Sequence, residues 1–463
     1  MVQAQTVVQA HPRVRWRWEG DKVLLTTFVG LNKTAGEVLE FARQPVTVSD
    51  ICDAIAQQYP DVPSEKITAD IENLCDQLLK FNILIPAGSE NIPPPITFDY
   101  AKHIKSTFNN RLRAPLLAIV EPTFTCNGKC PHCAVSSTAA ETEGKLSTEE
   151  WLRVFEEMGR MGVFTMTISG GEPLLLDNLE DLVRGAVSNG MKVTINSNGS
   201  LFTRKRLKSL MEAGVNGFQL NIDGVDAETH DSFRGIPGSY EKNMELLTWL
   251  RETDLDVQIS THITTRNIDQ ITDIMQLVHT TGVPRQSLVR VVKTGRARKN
   301  VDLLPKKEQW IALIKEVAEE LGKVNQYVFL PTVPAAYYHE VVGIQQYMQW
   351  RKEGRISLCL AGITNVIVTP QGDVRPCDTS IRTSLGNVQT QSLAEIWQTS
   401  PVLERLRDLT KADFVPCNKC NFSRVCVAGC MAQSWQIDQG GEVWPADDMC
   451  VTCWEAQSQV VSC

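Results

Sequence analysis

The stretch CNGKCPHC, residues 126–133, is the most informative part of the sequence. It carries three cysteines, Cys126, Cys130 and Cys133. Three thiolates on so short a loop can hold three irons of a [4Fe–4S] cube and leave the fourth iron without a protein ligand. A cluster that only transfers electrons normally has four cysteine ligands, so the missing ligand indicates an iron that is open to a cofactor or substrate. The alternative is structural zinc, with His132 as the fourth ligand.

Around this loop, from about residue 113 to 300, strand-like and helical stretches alternate. Mostly apolar strands joined by helices predict a parallel sheet that is covered on both faces. Six such units predict a partial or full barrel, in which chemistry occurs at the carboxyl ends of the strands. The strands are predicted at LLAIV (116–120), TMTIS (165–169), KVTIN (192–196), FQLNI (218–222), VQISTHI (257–263) and SLVRVV (287–292). Helices are predicted at Ser147–Met161, Leu179–Asn189, Thr203–Ala213 and 305–323.

Further along the chain, eight cysteines fall between 359 and 453, where regular patterns thin out. A loop-rich segment of this kind lacks the apolar mass for its own core, so we expect metal clusters to stabilise it. Two structural zinc ribbons are the alternative, because C-x2-C pairs are common zinc ligands. Cys52 and Cys75, by contrast, are predicted to be core cysteines on helix faces.

Towards the N-terminus, residues 1–86 predict a small α+β unit. The runs RVRWRW and KVLLTTF predict a hairpin around Glu19-Gly20-Asp21. A proline-rich NIPPP (91–95) then predicts a linker. Three helices are expected after the hairpin, over about Thr34–Ala42, from an N-cap at Ser49 to about Tyr59, and from Pro63-Ser64 along an apolar face that runs from Ile67 to Leu79.

Bulk composition fits a folded protein of two to four domains, since the 463 residues are 43% hydrophobic and 22% charged. A net charge of -8 gives no electrostatic reason to bind nucleic acid or an anionic membrane. No apolar run approaches the roughly 18 residues that span a bilayer, and the first residues lack the pattern of a secretory signal. We therefore expect a cytoplasmic protein that binds neither nucleic acid nor membrane.

The cysteine loop resembles the C-x3-C-x2-C signature of the radical S-adenosylmethionine (SAM) superfamily. This resemblance implies a [4Fe–4S] cluster on Cys126, Cys130 and Cys133, with SAM as cofactor. Motifs at successive strand ends add to it, namely SGGEP (169–173), Asn198-Gly199, and NIDG (221–224) followed by HDSFRG (230–235). The SAM contacts implied by the resemblance are His132, Gly170, Gly171, Glu172, Asn198, Asn221 and Arg234.

Three of these implied contacts have particular expectations attached. Arg234 is expected to meet the SAM carboxylate. Asn221 departs from the family, whose segment more often begins with Ser. Glu172 is expected to act as a structural or capping group rather than as an acid catalyst, and the sequence assigns no catalytic residue beyond the cluster itself.

The C-terminal cysteine spacing resembles the SPASM domain of peptide- and protein-modifying enzymes. It implies two auxiliary [4Fe–4S] clusters, so that three clusters are expected in all. By analogy, auxiliary cluster I uses Cys359, Cys377 and Cys430, and auxiliary cluster II uses Cys417, Cys420, Cys426 and either Cys450 or Cys453. Some relatives carry an extra cysteine soon after the Cys359 position, and this sequence has none there. Cluster I therefore has an open iron or is closed by Cys453.

The N-terminal unit resembles the PqqD-like recognition element of enzymes that act on ribosomally made, post-translationally modified peptides (RiPPs). The resemblance implies that residues 1–86 bind the leader of a precursor peptide as an added strand. The alternative is a generic winged-helix-like packing module. The expected organisation is a recognition domain (1–86), a linker (87–112), a partial (β/α)6 radical SAM barrel of the α/β class (113–300), a bridging helical region (301–355) and a SPASM domain (356–463).

The function implied is maturation of a RiPP precursor. A 5′-deoxyadenosyl radical abstracts hydrogen from the peptide, and an oxidative thioether or carbon–carbon crosslink follows, with flavodoxin or ferredoxin as electron donor. Two alternatives stay open, a protein-modifying enzyme similar to anaerobic sulfatase maturases and a non-catalytic iron–sulfur electron carrier. The sequence does not choose the precursor or the bond.

Overall fold

The computed structural model describes residues 3–26, 30–90, 92, 107–108, 111–356, 359–381, 383–410, 413–415, 417–426 and 444–445. The chain divides into two compact units, Met1–Leu112 and Arg113–Cys463, and each contains a buried apolar core. No helix among the described residues is both long and apolar enough to cross a membrane. The NIPPP linker, apart from Ile92, and three predicted cluster ligands, Cys430, Cys450 and Cys453, lie outside the described residues.

The described part of the first unit contains two small antiparallel sheets and three complete helices. Its elements are β1 (Val7–Ala10), β2 (Trp16–Glu19), β3 (Lys22–Leu25), β4 (Gly30–Leu31), α1 (Lys33–Phe41), β5 (Val46–Thr47), α2 (Val48–Gln58), α3 (Ser64–Lys80) and β6 (Leu84–Pro86). The predicted hairpin is confirmed, because β2 pairs with β3 around Gly20, which has a left-handed φ of 67°. A second sheet, in the order β5-β1-β6, was not predicted because its strands are only two to four residues long.

The three predicted helices are present, with one correction at a helix start. The side chain of Thr47, rather than that of Ser49, caps α2 by accepting a hydrogen bond of 3.0 Å from the Asp50 backbone N–H. Both residues carry a hydroxyl group, but only Thr47 has the extended backbone that an N-cap requires. The core assignment of Cys52 and Cys75 is confirmed, since both are buried, and burial raises the pKa of the Cys75 thiol to about 12.

The second unit is built on a ten-stranded sheet whose six central strands are the predicted ones. They are β7 (Leu117–Thr123), β8 (Thr165–Gly170), β9 (Lys192–Ser197), β10 (Gly217–Asn221), β11 (Asp256–Ile263) and β12 (Arg285–Arg290), and neighbours pair in parallel. The helices between them are α4 (Thr148–Met161), α5 (Leu179–Ser188), α6 (Arg204–Glu212), α7 (Ala227–Arg234), α8 (Ser239–Leu250) and α9 (Ile271–Thr281). This is the predicted α/β class, with a parallel sheet at its centre.

Local sequence explains where these helices start and how they pack. Helix α4 starts at a capping box in which Ser147 and Glu150 satisfy each other's backbone N–H groups, and it ends at Gly162 with a left-handed φ of 78°. Its Trp151 and Phe155 side chains are buried against the sheet core. The chain therefore returns to the sheet after each strand, which brings the strand ends together on one side.

The sheet extends beyond the six predicted strands at both edges. After α10 (Lys307–Glu320), strand β13 (Tyr327–Phe329) pairs with β12, and α11 (Ala335–Lys352) follows with a break at Gly343. On the other side, β14 (Asn365–Val368) pairs in parallel with β7. Strand β15 (Asp373–Arg375) pairs with β14, and β16 (Gly386–Asn387) pairs with β15 at the edge of the sheet. Helices α12 (Leu393–Thr399) and α13 (Pro401–Asp408) follow in the chain. The segment expected to be loop-rich thus contributes strands to the central sheet.

Candidate active site

A cavity of about 270 Å³ lies at the carboxyl ends of strands β7 to β12. Its wall contains residues from each of these six strand ends together with the cysteine loop. This position agrees with the expectation that chemistry occurs at the carboxyl ends of parallel strands. The cavity brings together these residues singled out from the sequence: Cys126, Cys130, Cys133, His132, Gly170, Gly171, Asn198, Asn221 and Arg234.

The three cysteines of the loop are partly buried and face the same cavity. Burial raises the pKa of the Cys126 thiol to about 11, so this thiolate needs a cation to be stable. Across the described residues, no three His, Cys, Asp or Glu side chains are grouped tightly enough to share one metal ion. Three thiolates on one short loop at one cavity are a donor set that fits an iron–sulfur cluster.

The two glycines of SGGEP are required by the packing of strand ends. A Cβ atom on Gly170 would collide with the carbonyl oxygen of Thr123, and one on Gly171 with that of Thr125. Gly170 also has a φ of 106°, which other residues rarely adopt. The segment before the cysteine loop and the end of β8 can thus approach closely enough to share one cavity wall.

Glu172 lies outside the set that lines the cavity. Its carboxylate is fully buried and accepts hydrogen bonds from the Asn198 backbone N–H at 2.8 Å and the Ser197 hydroxyl at 2.8 Å. It also caps the short helix that follows, through the Leu174 backbone N–H at 3.1 Å. Burial raises the pKa of this carboxyl group, and the three hydrogen bonds oppose that rise. Glu172 therefore ties the ends of β8 and β9 together.

Arg234 forms a buried ion pair with Asp223. Both lie next to the cysteine loop, residues 126–133, which is also called the cluster loop below. The Arg234 Nη1 atom lies 3.7 Å from the Cys130 sulfur, and its carbonyl oxygen accepts a hydrogen bond from the Lys129 backbone N–H at 2.9 Å. Burial disfavours ionisation of Asp223, but Arg234 and His262 outweigh it and keep the pKa of Asp223 below its usual range. Removing one partner of such a buried pair costs about 3–5 kcal/mol.

His132, which belongs to the cluster loop itself, is packed between two aromatic rings. Its ring centroid lies 4.6 Å from that of Phe233 and 4.8 Å from that of His262. Burial and the neighbouring His262 hold the pKa of His132 well below its usual range, so the ring is neutral. A neutral, stacked ring is a suitable wall for a planar apolar group.

Glu121, at the carboxyl end of β7, is a cavity residue that sequence reasoning missed. The pairing of β7 with β8 shifts register between Val120 and Thr123, and such bulges re-aim side chains. Glu121 is 3% exposed, and its Oε2 atom has no hydrogen-bond partner among the described residues. Burial raises the pKa of Glu121 to about 8, with Asp378 adding to the rise and Arg375 opposing it. The group is therefore protonated at neutral pH.

Asp223, His262 and Asp378 were also missed. Asp223 stands within the quoted NIDG motif, where its charge next to a strand end is a usable signal. Asp378 follows the predicted cluster ligand Cys377 and lines the cavity, and burial raises its pKa. An isolated acid or histidine in a sequence gives no such indication, because only the fold shows which charges share a cavity.

The auxiliary-cluster cysteines are described in part. Cys377 lies after β15, and its backbone N–H donates to the Ser380 hydroxyl at 3.1 Å. Cys417 and Cys420 lie on one short turn, and the Cys426 sulfur accepts a hydrogen bond of 3.4 Å from the Ala335 N–H at the start of α11. The assignment of cysteines to two auxiliary clusters stays a prediction, since three of the expected ligands fall outside the described residues.

Comparison with known families gives three matches along the chain. The model of the Radical SAM superfamily matches residues 120–278. A model described as an iron–sulfur cluster-binding domain, SPASM, matches residues 359–421. The model of coenzyme PQQ synthesis protein D, PqqD, matches residues 19–84.

Similar proteins include curated relatives and solved structures. An AdoMet-dependent heme synthase of Methanosarcina barkeri is 31% identical over 335 residues, which is 70% of this chain and 93% of the relative. A PqqA peptide cyclase of Rhizobium meliloti is 29% identical over 349 residues, 74% of this chain and 88% of the relative. The crystal structure of Streptococcus suis SuiB bound to S-adenosylmethionine is 16% identical, with a TM-score of 0.68 over 96% of this chain and 99% of SuiB.

The matched segments coincide with the cluster loop, the cysteine-rich segment and the N-terminal unit. The chain belongs to the radical SAM superfamily of enzymes. Within that superfamily it combines a SPASM domain with a PqqD-like unit.

Loss of the loop thiolates provides the first test of this site. The triple variant Cys126→Ala, Cys130→Ala, Cys133→Ala is expected to lose about four irons per chain, because one cubane holds four. It is also expected to form no 5′-deoxyadenosine from SAM after anaerobic reconstitution and reduction. Iron analysis and chromatography of the products measure both. The core variant Cys52→Ala is the control and keeps both, whereas SAM cleavage by the triple variant would refute the assignment.

Protonation of Glu121 predicts a pH-dependent stability difference. The folded state holds this proton up to a pKa of about 8, whereas the unfolded state releases it at the usual value near 4.5. Between these values wild-type protein loses stability relative to Glu121→Gln as pH rises, by at most about 1.4 kcal/mol per pH unit. Above pH 8 the difference stops growing. Chemical denaturation of the cluster-free protein from pH 5.5 to 9 measures it.

The matched control for this experiment is Glu319→Gln, which makes the same change at an exposed position. Its stability curve is expected to run parallel to that of the wild type over the whole range. If the Glu121→Gln curve also runs parallel, then Glu121 is ionised in the folded protein and the assigned protonation is wrong.

Proposed function

We propose that this enzyme modifies a ribosomally made precursor peptide, using a radical generated from SAM to form a thioether or carbon–carbon crosslink. The observation that carries this proposal is the PqqD-like unit in the same chain as a radical SAM core and a SPASM domain. A recognition unit fused to the catalytic core is useful for a long, flexible substrate, since it raises the local concentration of the reacting segment. Relatives named PqqA peptide cyclase support the same substrate class.

The N-terminal unit offers edges for an extended peptide. Its first sheet has the order β2-β3-β4, so that β2 and β4 are its edge strands. Gly30 in β4 is covered by Thr107 and Phe108, since a Cβ atom there would collide with both. Strand β2 is the other edge, and its Trp16 and Trp18 side chains are anchored by hydrogen bonds to Glu40 at 2.7 and 3.3 Å. A leader that adds to β2 as a fourth strand would find a rigid edge.

Part of the cavity wall consists of neutral side chains that can bind peptide groups. Its strand-end residues include the neutral groups Ser169, Asn196 and Gln219, which can donate and accept hydrogen bonds as amides do. The Asn196 Oδ1 atom has no partner among the described residues. Glu121 supplies a protonated carboxyl group beside them. Such a wall can hold a peptide backbone without demanding a charge on the substrate.

The cofactors we propose are SAM and three [4Fe–4S] clusters. Cys126, Cys130 and Cys133 would hold the first of these clusters, which when bound would supply the electron for reductive cleavage of SAM. The contacts proposed for SAM are His132, Gly170, Gly171, Asn198 and Asn221, all of which line the cavity. Arg234 is already paired with Asp223. We therefore propose that it stabilises the cluster loop rather than binding the SAM carboxylate.

The remaining roles concern the auxiliary clusters and the external electron donor. Auxiliary clusters at Cys359, Cys377 and Cys430, and at Cys417, Cys420, Cys426 and Cys450 or Cys453, would accept the electron released during crosslinking or ligate the substrate. A flavodoxin or ferredoxin in the cytoplasm would supply the electron for SAM cleavage. The proton released from the substrate needs an acceptor in the cavity.

A tetrapyrrole-modifying enzyme is the second candidate, because relatives named AdoMet-dependent heme synthase match the chain at up to 31% identity. Co-expression with the peptide of a short neighbouring reading frame separates the two. Loss of two hydrogen atoms per crosslink in that peptide, seen by mass spectrometry, supports peptide maturation. An unchanged peptide together with a modified porphyrin would replace the proposal with the second candidate.

Removal of the N-terminal unit tests leader binding. A protein that starts near Pro95 is expected to keep basal SAM cleavage but to need a much higher concentration of leader-bearing peptide for half-maximal modification. The physical reason is the loss of the tethered binding site. A titration of the same peptide against full-length and shortened enzyme measures the shift. A leaderless peptide is the control and is expected to give equal values for both enzymes, and equal values with the leader would remove the recognition role.

The auxiliary clusters are expected to matter for crosslinking more than for SAM cleavage. Wild-type enzyme is predicted to hold about twelve irons, four for each cubane, and Cys417→Ala with Cys420→Ala about four fewer. That double variant is expected to cleave SAM without modifying the peptide, because these two cysteines do not line the cavity that contains Cys126, Cys130 and Cys133. Lys419→Ala, in the same turn, is the matched control. Full modification by the double variant, or zinc in the native protein, would contradict this.

A further inference from the structure

The segment Thr294–Asn300, which follows β12, packs on the cluster loop through several hydrogen bonds. The Arg296 backbone N–H donates to the Cys133 carbonyl at 2.9 Å, and its Nε donates to the Cys130 carbonyl at 2.7 Å. Its Nη1 donates to the Ser137 carbonyl. A single residue therefore holds three backbone carbonyls of the cluster loop and the turn after it.

Two neighbours of Arg296 make this contact close and rigid. Asn300 donates from Nδ2 to the Pro131 carbonyl at 3.0 Å and to the Arg296 carbonyl at 3.1 Å. Gly295 has a left-handed φ of 50°, and a Cβ atom there would collide with the Cys133 and Ala134 carbonyls. No side chain larger than hydrogen fits at position 295, so the segment lies directly on the loop.

The same segment reaches the loop that carries a predicted auxiliary ligand. The buried Thr294 donates from Oγ1 to the Thr379 carbonyl at 3.3 Å, two residues beyond Cys377. The segment thus contacts the SAM-cluster loop on one side and the neighbourhood of Cys377 on the other. A displacement of Arg296 would change the SAM-cluster loop more than the Cys377 loop, because the hydrogen bonds of Arg296 are made to the former.

The charge of Arg296 differs from that of Arg234. Arg234 is compensated by Asp223, whereas no carboxylate among the described residues forms an ion pair with Arg296. Arg296 also lines the cavity. A fixed positive charge favours addition of an electron to a nearby cluster, since net charge and hydrogen bonding set the reduction potential of iron–sulfur centres.

We propose that Arg296 is a positioning residue of the radical SAM centre, which fixes the cluster loop through its planar fork of donors and raises the reduction potential of the cluster through its uncompensated charge. The inference rests on the cluster assigned to Cys126, Cys130 and Cys133. Lysine could replace the charge of Arg296 but not its fork, because an ammonium group is a point charge with a different donor geometry.

The test is a redox titration of anaerobically reconstituted full-length enzyme, followed by the electron paramagnetic resonance signal that changes when SAM is added. That readout isolates the SAM cluster from the auxiliary clusters. Arg296→Gln is expected to lower the ratio of reduced to oxidised cluster about tenfold at a fixed potential, which is about 59 mV for a one-electron couple. Arg298→Gln removes a charge from the same segment and is the matched control, with less than a threefold change expected.

Arg296→Lys and the iron content separate the two parts of the role. We expect the lysine variant to stay within threefold of wild type in its titration but to retain less iron, because it keeps the charge and loses the fork. Loss of the cluster from both variants likewise supports the positioning role. A glutamine variant with full iron content and a wild-type titration overturns it, as does an equal shift in Arg298→Gln. Absence of a SAM-sensitive signal in the wild type would instead refute the cluster assignment, and this proposal with it.

Discussion

The backbone of the cysteine loop has to be held by groups from other parts of the chain. A short loop that presents three thiolates to one cavity cannot also pair its own carbonyls and N–H groups in a helix or sheet, yet such groups need partners when they are buried. The partners come from Thr138, from Arg234 at the end of α7 and from Arg296 after β12. The loop geometry therefore depends on residues far apart in sequence, which only the completed sheet brings together.

The buried ionisable groups around this loop are stabilised in three different ways. Asp223 and Arg234 neutralise each other next to Cys130, and Glu172 is held by three hydrogen bonds between two strand ends. Glu121 has neither kind of support and carries a proton instead. Each group thus meets the cost of burial differently, by pairing, by hydrogen bonding or by neutralisation. These acidic groups therefore add little negative charge to the cavity that Arg296 also lines.

Sequence patterns located the six central strands and the cysteine loop, because strand periodicity and thiolate spacing are local signals. Strands β13 and β14 escaped notice, since three or four residues carry too little pattern to register. Glu121 directly follows the strand predicted at 116–120, and its place in the cavity depends on a bulge that has no sequence signature. The pairing of auxiliary cysteines could be inferred only by analogy, because spacing does not determine which thiolates meet.

The position of β14 has a consequence for how the protein is made. Leu117, on the strand that leads into the cysteine loop, pairs with Asn365, so one side of β7 lacks its neighbour until the ribosome has passed the whole core. Until then β7 is an exposed edge, the kind of surface that templates misassembly. A core cut at the limits of the superfamily match would keep that edge permanently. Synthesis of residues 365–368 therefore determines when this edge is covered.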